Sequence, residues 1–346
     1  HLFRFFCLLA STLNFMKNLL LLLLGLIWST TSAQVLRQRT TMLMGGKFDI
    51  TIVSNDSTTA EKHINEVIGE ISRIEHLISD WIPETQISQV NAHAGVRPIK
   101  VDQEVFELAE RAIALSVLTH GAFDISFAAM DRIWKFDGTM TTMPTPSSIQ
   151  KAVAKVGYKN IVLDKKNSTI FLKKKGMKIG FGALGEGYAA DRCREMMLAQ
   201  GIKSGIVNGS GDMSTWGKQP DGTDWMIGIR DPQQTDELFA IVPIEKGAVV
   251  TSGSYEKFVV FNDKRYSHII NPTTGYPATG LMSVTVFGPS AEQANGFSTS
   301  LMVLGQKAGL ALLKKYPDYS CIMITDNGDV ITSHNLDIGK YRYLRE

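Results

Sequence analysis

Four short segments of this chain carry residue types that could do chemistry, and the first two could cradle a pyrophosphate. Gly180-Phe181-Gly182-Ala183-Leu184-Gly185-Glu186-Gly187 precedes a helical stretch, and Asn208-Gly209-Ser210-Gly211-Asp212 follows a strand-like run. Glycines let backbone amides approach a phosphate closely, and a helix N-terminus adds partial positive charge. Taken singly, each is equally the plain connector that Gly-rich turns usually are, and Asp212 suits the local work of pinning its own turn. The third segment is Thr251-Ser252-Gly253-Ser254-Tyr255. The fourth runs from Tyr266 to Gly275 and holds His268 between a strand end and a Pro/Gly turn, where a side chain can face a cleft. No second His stands at metal-ligand spacing, no Ser sits in a nucleophile elbow, and no Gly-rich turn ends in Lys-Ser/Thr. Zinc hydrolase, serine hydrolase and P-loop chemistry are thereby set aside.

These turns need elements to hold them. Phe48 to Ile52 alternates as a half-buried strand, and Thr58 to Glu61 reads as a capping box opening a helix whose apolar face is Ile64, Val67, Ile68, Ile71, Ile74, Leu77 and Ile78. Asp102 is the expected cap of a second helix; Ser147 starts a third that ends at Gly157. Two short strands are expected over 160–172 around Lys165-Lys166-Asn167. Further strands follow at 204–208, 225–229, 257–261, 265–270, 281–287 and 320–325, with helices at 187–199 and 291–315. Hairpins with segregated helices argue an α+β fold rather than a doubly wound parallel sheet. No internal repeat or low-complexity linker interrupts the chain, which reads as one unit with two lobes.

Composition sets outer bounds. The 346 residues are 44% hydrophobic and 20% charged, with a formal net charge of +2. That is globular composition without the basic footprint of a nucleic-acid binder, and Lys173-Lys174-Lys175 reads as an exposed strand end. Met16, Lys17, the apolar run Leu19 to Trp28 and the small residues Thr31-Ser32-Ala33 form a signal-peptide pattern. The expected start is Met16, with 1–15 upstream of it, and the expected cleavage lies near Ala33-Gln34. The mature unit is then 34–346, exported to the periplasm or the periplasmic side of the inner membrane of a bacterium. The apolar run is short of the roughly 20 residues of a comfortable span, which favours a signal peptide, with a retained anchor or peripheral membrane association as the alternative. Three cysteines, Cys7, Cys193 and Cys321, give no disulfide framework.

The order of motifs is more specific than any one of them. Met44-Gly45 comes first, then Glu75, Ser79, Trp81 and Asn91 in the first helix and its following turn, then Gly121-Ala122-Phe123-Asp124. Gly182-Ala183 through Gly187-Tyr188-Ala189-Ala190-Asp191, Gly211-Asp212, Thr251 to Tyr255, His268 to Gly275 and Ala294 to Thr299 follow. In this succession the mature chain resembles the ApbE family of FAD:protein FMN transferases. The resemblance implies a T-fold-like α+β architecture, mixed antiparallel sheets with flanking helices, and two lobes around a flavin cleft.

It also implies a reaction: with Mg2+, the pyrophosphate of FAD is split, FMN passes to a Thr or Ser hydroxyl of a target protein, and AMP leaves. Such phosphoryl transfer needs cations where charge builds on phosphate oxygens. The metal ligands implied are the Ala183 carbonyl, Asn295 and Thr299; the catalytic residues implied are His268 and Asn295. FAD is expected against Met44, Trp81, Ala122, Phe123, Asp124, Gly180, Glu186, Tyr255, His268 and Ile269. Trp81 and Tyr255 are candidates for stacking on the flavin, with core packing as their alternative. Asp124 can accept bonds from flavin or ribose, or cap the next segment. His268 can take the acceptor hydroxyl's proton or hold a phosphate oxygen, or be a hydrogen-bonded turn residue.

The chain departs from the family pattern at three of these positions. Asn295 stands where the family has a metal-binding Asp, Glu186 where it has a Lys beside the phosphates, and Gly180 where an Asp is common. Either Glu186 supplies the carboxylate that Asn295 lacks, or the site has lost transfer. The alternatives to the transferase are therefore an exported FAD-binding protein without turnover and an FAD pyrophosphatase.

Overall fold

The computed structural model describes residues 34–343 except 131, 132, 235, 256, 263, 338, 340 and 341. The expected signal segment and start site lie outside the described residues. Strands β1 (Val35–Leu43) and β2 (Gly46–Ser54) form a hairpin whose two-residue loop is Met44-Gly45, both at positive φ (53° and 75°), the backbone a tight hairpin turn demands. Helix α1 (Ser57–Ile78) follows and buries the expected face. Its cap is Asp56, which accepts from Thr59 N, rather than the box at Thr58. Asn91 lies in a further short helix, α2 (Gln86–Ala92), where a turn was expected.

Next come β3 (Ile99–Lys100), α3 (Gln103–Leu118) and a 3-10 segment, Ile125–Met130. Asp102 holds the cap position of α3 without a side-chain capping bond. Helix α4 (Pro146–Val153) is capped by Thr145, with Pro146 in its first turn, instead of starting at Ser147. Strands β4 (Ile161–Asp164) and β5 (Thr169–Leu172) make the expected hairpin, and the lysines after it are exposed. Helix α5 (Gly185–Ala199), β6 (Ser204–Gly209), β7 (Asp212–Trp216), β8 (Trp225–Arg230), β9 (Leu238–Ile244) and β10 (Gly247–Gly253) follow. The chain continues with β11 (Phe258–Phe261), β12 (Lys264–Ser267), β13 (Leu281–Gly288), α6 (Ala291–Leu313), β14 (Ser320–Thr325), β15 (Val330–Thr332) and β16 (Arg342–Tyr343).

The fold is α+β, and the pairings between these strands are antiparallel. Its centre is an eight-stranded sheet in the order β1-β2-β6-β7-β10-β13-β14-β15. One face carries α1, α5 and α6 over a core that includes Phe48, Ile50, Val250, Val284, Phe297 and Met323. The other face sets Val53, Val249, Phe287 and Ile322 against Trp225, Ile227, Phe239 and Val242 of the small β8-β9-β16 sheet. Successive residues of one strand thus face different cores, which is why β13 and β14 read as near-continuous apolar runs. A satellite core of Met130, Trp134, Ile149, Val259 and Ile270 gathers the segment after α3, helix α4 and the β11-β12 hairpin.

Candidate active site

Between the satellite core and the helical face of the main sheet lies a cavity of about 950 Å³, at the upper end of the size range of small-molecule sites. Its lining is of two kinds. Phe123, Phe127, Ile133, Trp134 and Phe136 make apolar wall, whereas Ser210, Asp212, Thr251, Ser252, Asn295 and Thr299 bring oxygen-rich side chains. Of the residues singled out by sequence, Trp81, Ala122, Phe123, Asp124, Gly180, Ala183, Glu186, His268, Ile269, Asn295 and Thr299 all line it. They come together from stretches as far apart in the sequence as Trp81 and Thr299.

Two named residues sit elsewhere. Gly45 and Gly46 represent the first hairpin turn at the cavity, while Met44 packs on the main core, its Cε 3.2 Å from where a Cβ on Gly185 would stand. Tyr255 is 9% exposed and lays its ring under Gly253, where any Cβ would meet it at 2.4 Å. Trp81, by contrast, is 66% exposed at the cavity wall, an apolar face held in water.

The Gly-rich turns act through close approach. Gly187 brings α5 to the start of α6, since a Cβ there would stand 2.5 Å from the Ala291 carbonyl oxygen. One turn on, Asp191 accepts from Ser214 Oγ (2.9 Å) through one oxygen and from Ser290 Oγ (2.8 Å) and Glu292 N (3.1 Å) through the other. This carboxylate joins α5, β7 and the N-terminus of α6, the helix that carries Asn295 and Thr299. Ser252 fixes the next contact: its Oγ lies 2.8 Å from Ser298 Oγ and 3.5 Å from Thr299 Oγ1.

His268 stands just past β12, which ends at Ser267 rather than at 270. Its Nδ1 lies 3.1 Å from the Lys257 carbonyl. A carbonyl only accepts, so Nδ1 carries the proton and Nε2 is the ring atom left to accept one. Burial pushes its pKa below the ordinary histidine value, opposed by that same hydrogen bond. The following turn is built by Asn271, whose Oδ1 accepts from Thr273 N and Thr274 N, and is tied down by Trp134 Nε1 donating to the Gly275 carbonyl.

Asp124 does the work of a local clasp. Oδ1 accepts from Ser126 N and Ser126 Oγ, and Oδ2 accepts from Tyr158 N at 2.7 Å. Burial raises its pKa against those bonds. Asp212 directly follows the Gly209-Ser210-Gly211 turn. The side chain seen bridging that turn belongs to Asn208, whose Oδ1 accepts from Gly211 N, while Asp212 Oδ2 accepts from Asn295 Nδ2. Glu186 lies against the first hairpin, its Oε1 2.5 Å from where a Cβ on Gly46 would be. Gly180 leaves room for Asp80, whose Oδ2 would stand 3.1 Å from a Cβ at that position.

Sequence reasoning missed Asp80, Trp134, Phe136, Lys178 and Lys257 as cavity residues. The only signal for the aromatic pair is that Trp134 and Phe136 are large rings in a stretch without helix or strand periodicity. Lys178 announces itself by standing two residues before the Gly-rich turn.

The match to known proteins is extensive. The model of the ApbE family matches residues 44–323. The chain belongs to the ApbE family. It is 30% identical over 294 residues to an FAD:protein FMN transferase of Klebsiella pneumoniae, covering 84% of this chain and 90% of that one. It is also 30% identical to the FAD:protein FMN transferase of Treponema pallidum, over 77% and 78% of the two chains. Among solved structures, the ApbE protein of Thermotoga maritima superposes with a TM-score of 0.81 at 28% identity over 90% of this chain and all of that one. The flavin transferase ApbE of Vibrio cholerae gives 0.78 at 25% identity, over 87% and 98%.

Proposed function

We propose that this ApbE-family chain uses Mg2+ to transfer the FMN moiety of FAD to a Thr or Ser hydroxyl of an exported target protein, releasing AMP. The observation that carries the reading is the two-character cavity. Its aromatic and aliphatic lining suits a flat ring system, and the same cavity is lined by Ala183, His268, Asn295 and Thr299.

The donor set fits magnesium. A backbone carbonyl, an amide oxygen and a hydroxyl are hard oxygen ligands, and magnesium takes few protein ligands beside waters and substrate phosphates. Among the described residues no group of three or more His, Cys, Asp and Glu side chains is arranged to hold an ion. The ligands of such a cation would be Ala183, Asn295 and Thr299. When bound, it would neutralise phosphate oxygens as negative charge builds on the group being moved.

The protein's own side chains supply the rest. The acceptor oxygen forms a bond to the phosphorus on the FMN side of the pyrophosphate, the bridging P–O bond breaks, and AMP leaves with the bridging oxygen. His268 Nε2 receives the hydroxyl proton; the Lys257 carbonyl fixes the tautomer, and burial keeps the ring neutral at pH 7. Trp81, exposed at the wall, offers a stacking face for the flavin ring.

The site's departures at Asn295 and Glu186 favour one second reading, an exported FAD-binding protein without transfer. Chromatography of FAD incubated with the protein, Mg2+ and an acceptor domain separates the cases. Transfer yields AMP with no free FMN, hydrolysis yields AMP and free FMN in equal amounts, and simple binding leaves FAD whole.

A further inference from the structure

We infer that Asp212 supplies, through its hydrogen bond to Asn295, the negative charge of the cation site, so that the two residues work as one carboxylate-backed amide ligand. This rests on the magnesium-dependent reading above and identifies where that site gets its charge.

The starting point is an amide whose orientation is set by its partner. Asp212 and Asn295 are 83 residues apart in the chain, 7% and 6% exposed respectively, and both line the cavity. A carboxylate oxygen only accepts, so the atom of Asn295 that meets Asp212 is Nδ2. The oxygen of that amide therefore lies on the other branch of the fork and is the atom with which Asn295 can ligate a cation. An amide oxygen carries no formal charge and by itself holds magnesium weakly. A carboxylate directly behind the amide polarises the N–H toward itself and raises the electron density on Oδ1.

Charge bookkeeping points the same way. A buried carboxylate facing an amide makes this stretch of wall attractive to a cation and repulsive to a pyrophosphate unless a cation lies between them. Among the described residues, the cations lining the cavity are Lys178, from the segment before the Gly-rich turn, and Lys257, from the β11 side. Hydroxyls line the cavity with the pair, those of Thr251, Ser252 and Thr299, and Ser252 bridges toward α6. The turn that delivers Asp212 is bridged by the Asn208 side chain, whose Oδ1 accepts from Gly211 N. Asp212 is thus a positioning residue that reaches the cation through Asn295.

The test is binding of Mn2+, read by the EPR signal of the unbound ion, to the full chain carrying FAD, with Mg2+ as competitor. Asp212→Asn should weaken Mn2+ binding at least tenfold while FAD still binds. The exchange Asp212→Asn with Asn295→Asp, which moves the charge across the same hydrogen bond, should return affinity to within about threefold of the starting protein. Asp212→Ser gives the same readout should the Asn variant not fold. Mn2+ affinity unchanged within twofold in the single variants, or an exchange variant as weak as Asp212→Asn, overturns the assignment. A starting protein that takes up no Mn2+ with FAD present instead overturns the magnesium reading itself.

Discussion

At the scale of single residues, the account depends on a neutral His268 and on where the negative charge resides. Removing the imidazole with His268→Asn should lower the transfer rate by about 10² to 10⁴, the usual worth of a general base, with FAD affinity little changed. Burial depresses the folded-state pKa of His268, so the competent neutral form persists below the ordinary histidine pKa. Activity should therefore fall only as pH drops through that depressed value. The same shift has a stability counterpart: its contribution is complete above the unfolded-state pKa and is lost as pH falls toward the folded-state value. A pH–rate profile whose acid limb survives unchanged in the Asn variant would assign the proton to another group. Glu186→Lys separates two sources of charge. If Asp212 backs Asn295, the substitution places a cation by the phosphates, keeps transfer, and tightens FAD roughly tenfold by titration. Loss of transfer would make Glu186 the compensating carboxylate.

At the scale of elements, the Gly187-Tyr188-Ala189-Ala190-Asp191 run is scaffold for α6 rather than a ligand set. Gly187→Ala would drive a Cβ to 2.5 Å from the Ala291 carbonyl oxygen and push α5 and α6 apart. Asp191→Ala would leave Ser214, Ser290 and the Glu292 amide without their acceptor, at a cost on the order of 2–3 kcal/mol. Chemical denaturation should show that loss, with cation affinity falling alongside stability because α6 carries Asn295 and Thr299. These roles explain what the sequence made legible. Runs with one periodicity and one core, such as α1, could be placed from pattern, and so could the His268–Gly275 turn, whose Asn, Pro and Gly signal their own geometry. The cap of α1 was misread because Asp56 and Thr58 both precede the same apolar face, and only the Asp56–Thr59 bond decides between them. The partner of Asn295 could not be read at all: it lies 83 residues away, and nothing local to either residue signals the other.

At the scale of the whole molecule, the sheet with different cores on its two faces is the base, and the cavity lies between its helical side and the satellite core. No helix of the described residues is long and apolar enough to cross a membrane. Cys193 and Cys321 are both free and buried, with burial raising their thiol pKa values, Cys321 to about 12; neither requires an oxidising compartment. The export proposal rests on the Met16-to-Ala33 pattern alone and predicts that protein recovered from the periplasm of an expressing bacterium begins at Gln34. An uncleaved chain sedimenting with membranes would favour the retained anchor.

The central claim is tested most directly by the intact mass of an acceptor domain bearing a single candidate Thr, incubated with this protein, FAD and Mg2+. The account predicts a gain of one phosphodiester-linked FMN on that Thr, matched by one AMP and abolished by chelating the metal. An acceptor of unchanged mass beside protein-bound, intact FAD at every Mg2+ concentration would contradict it.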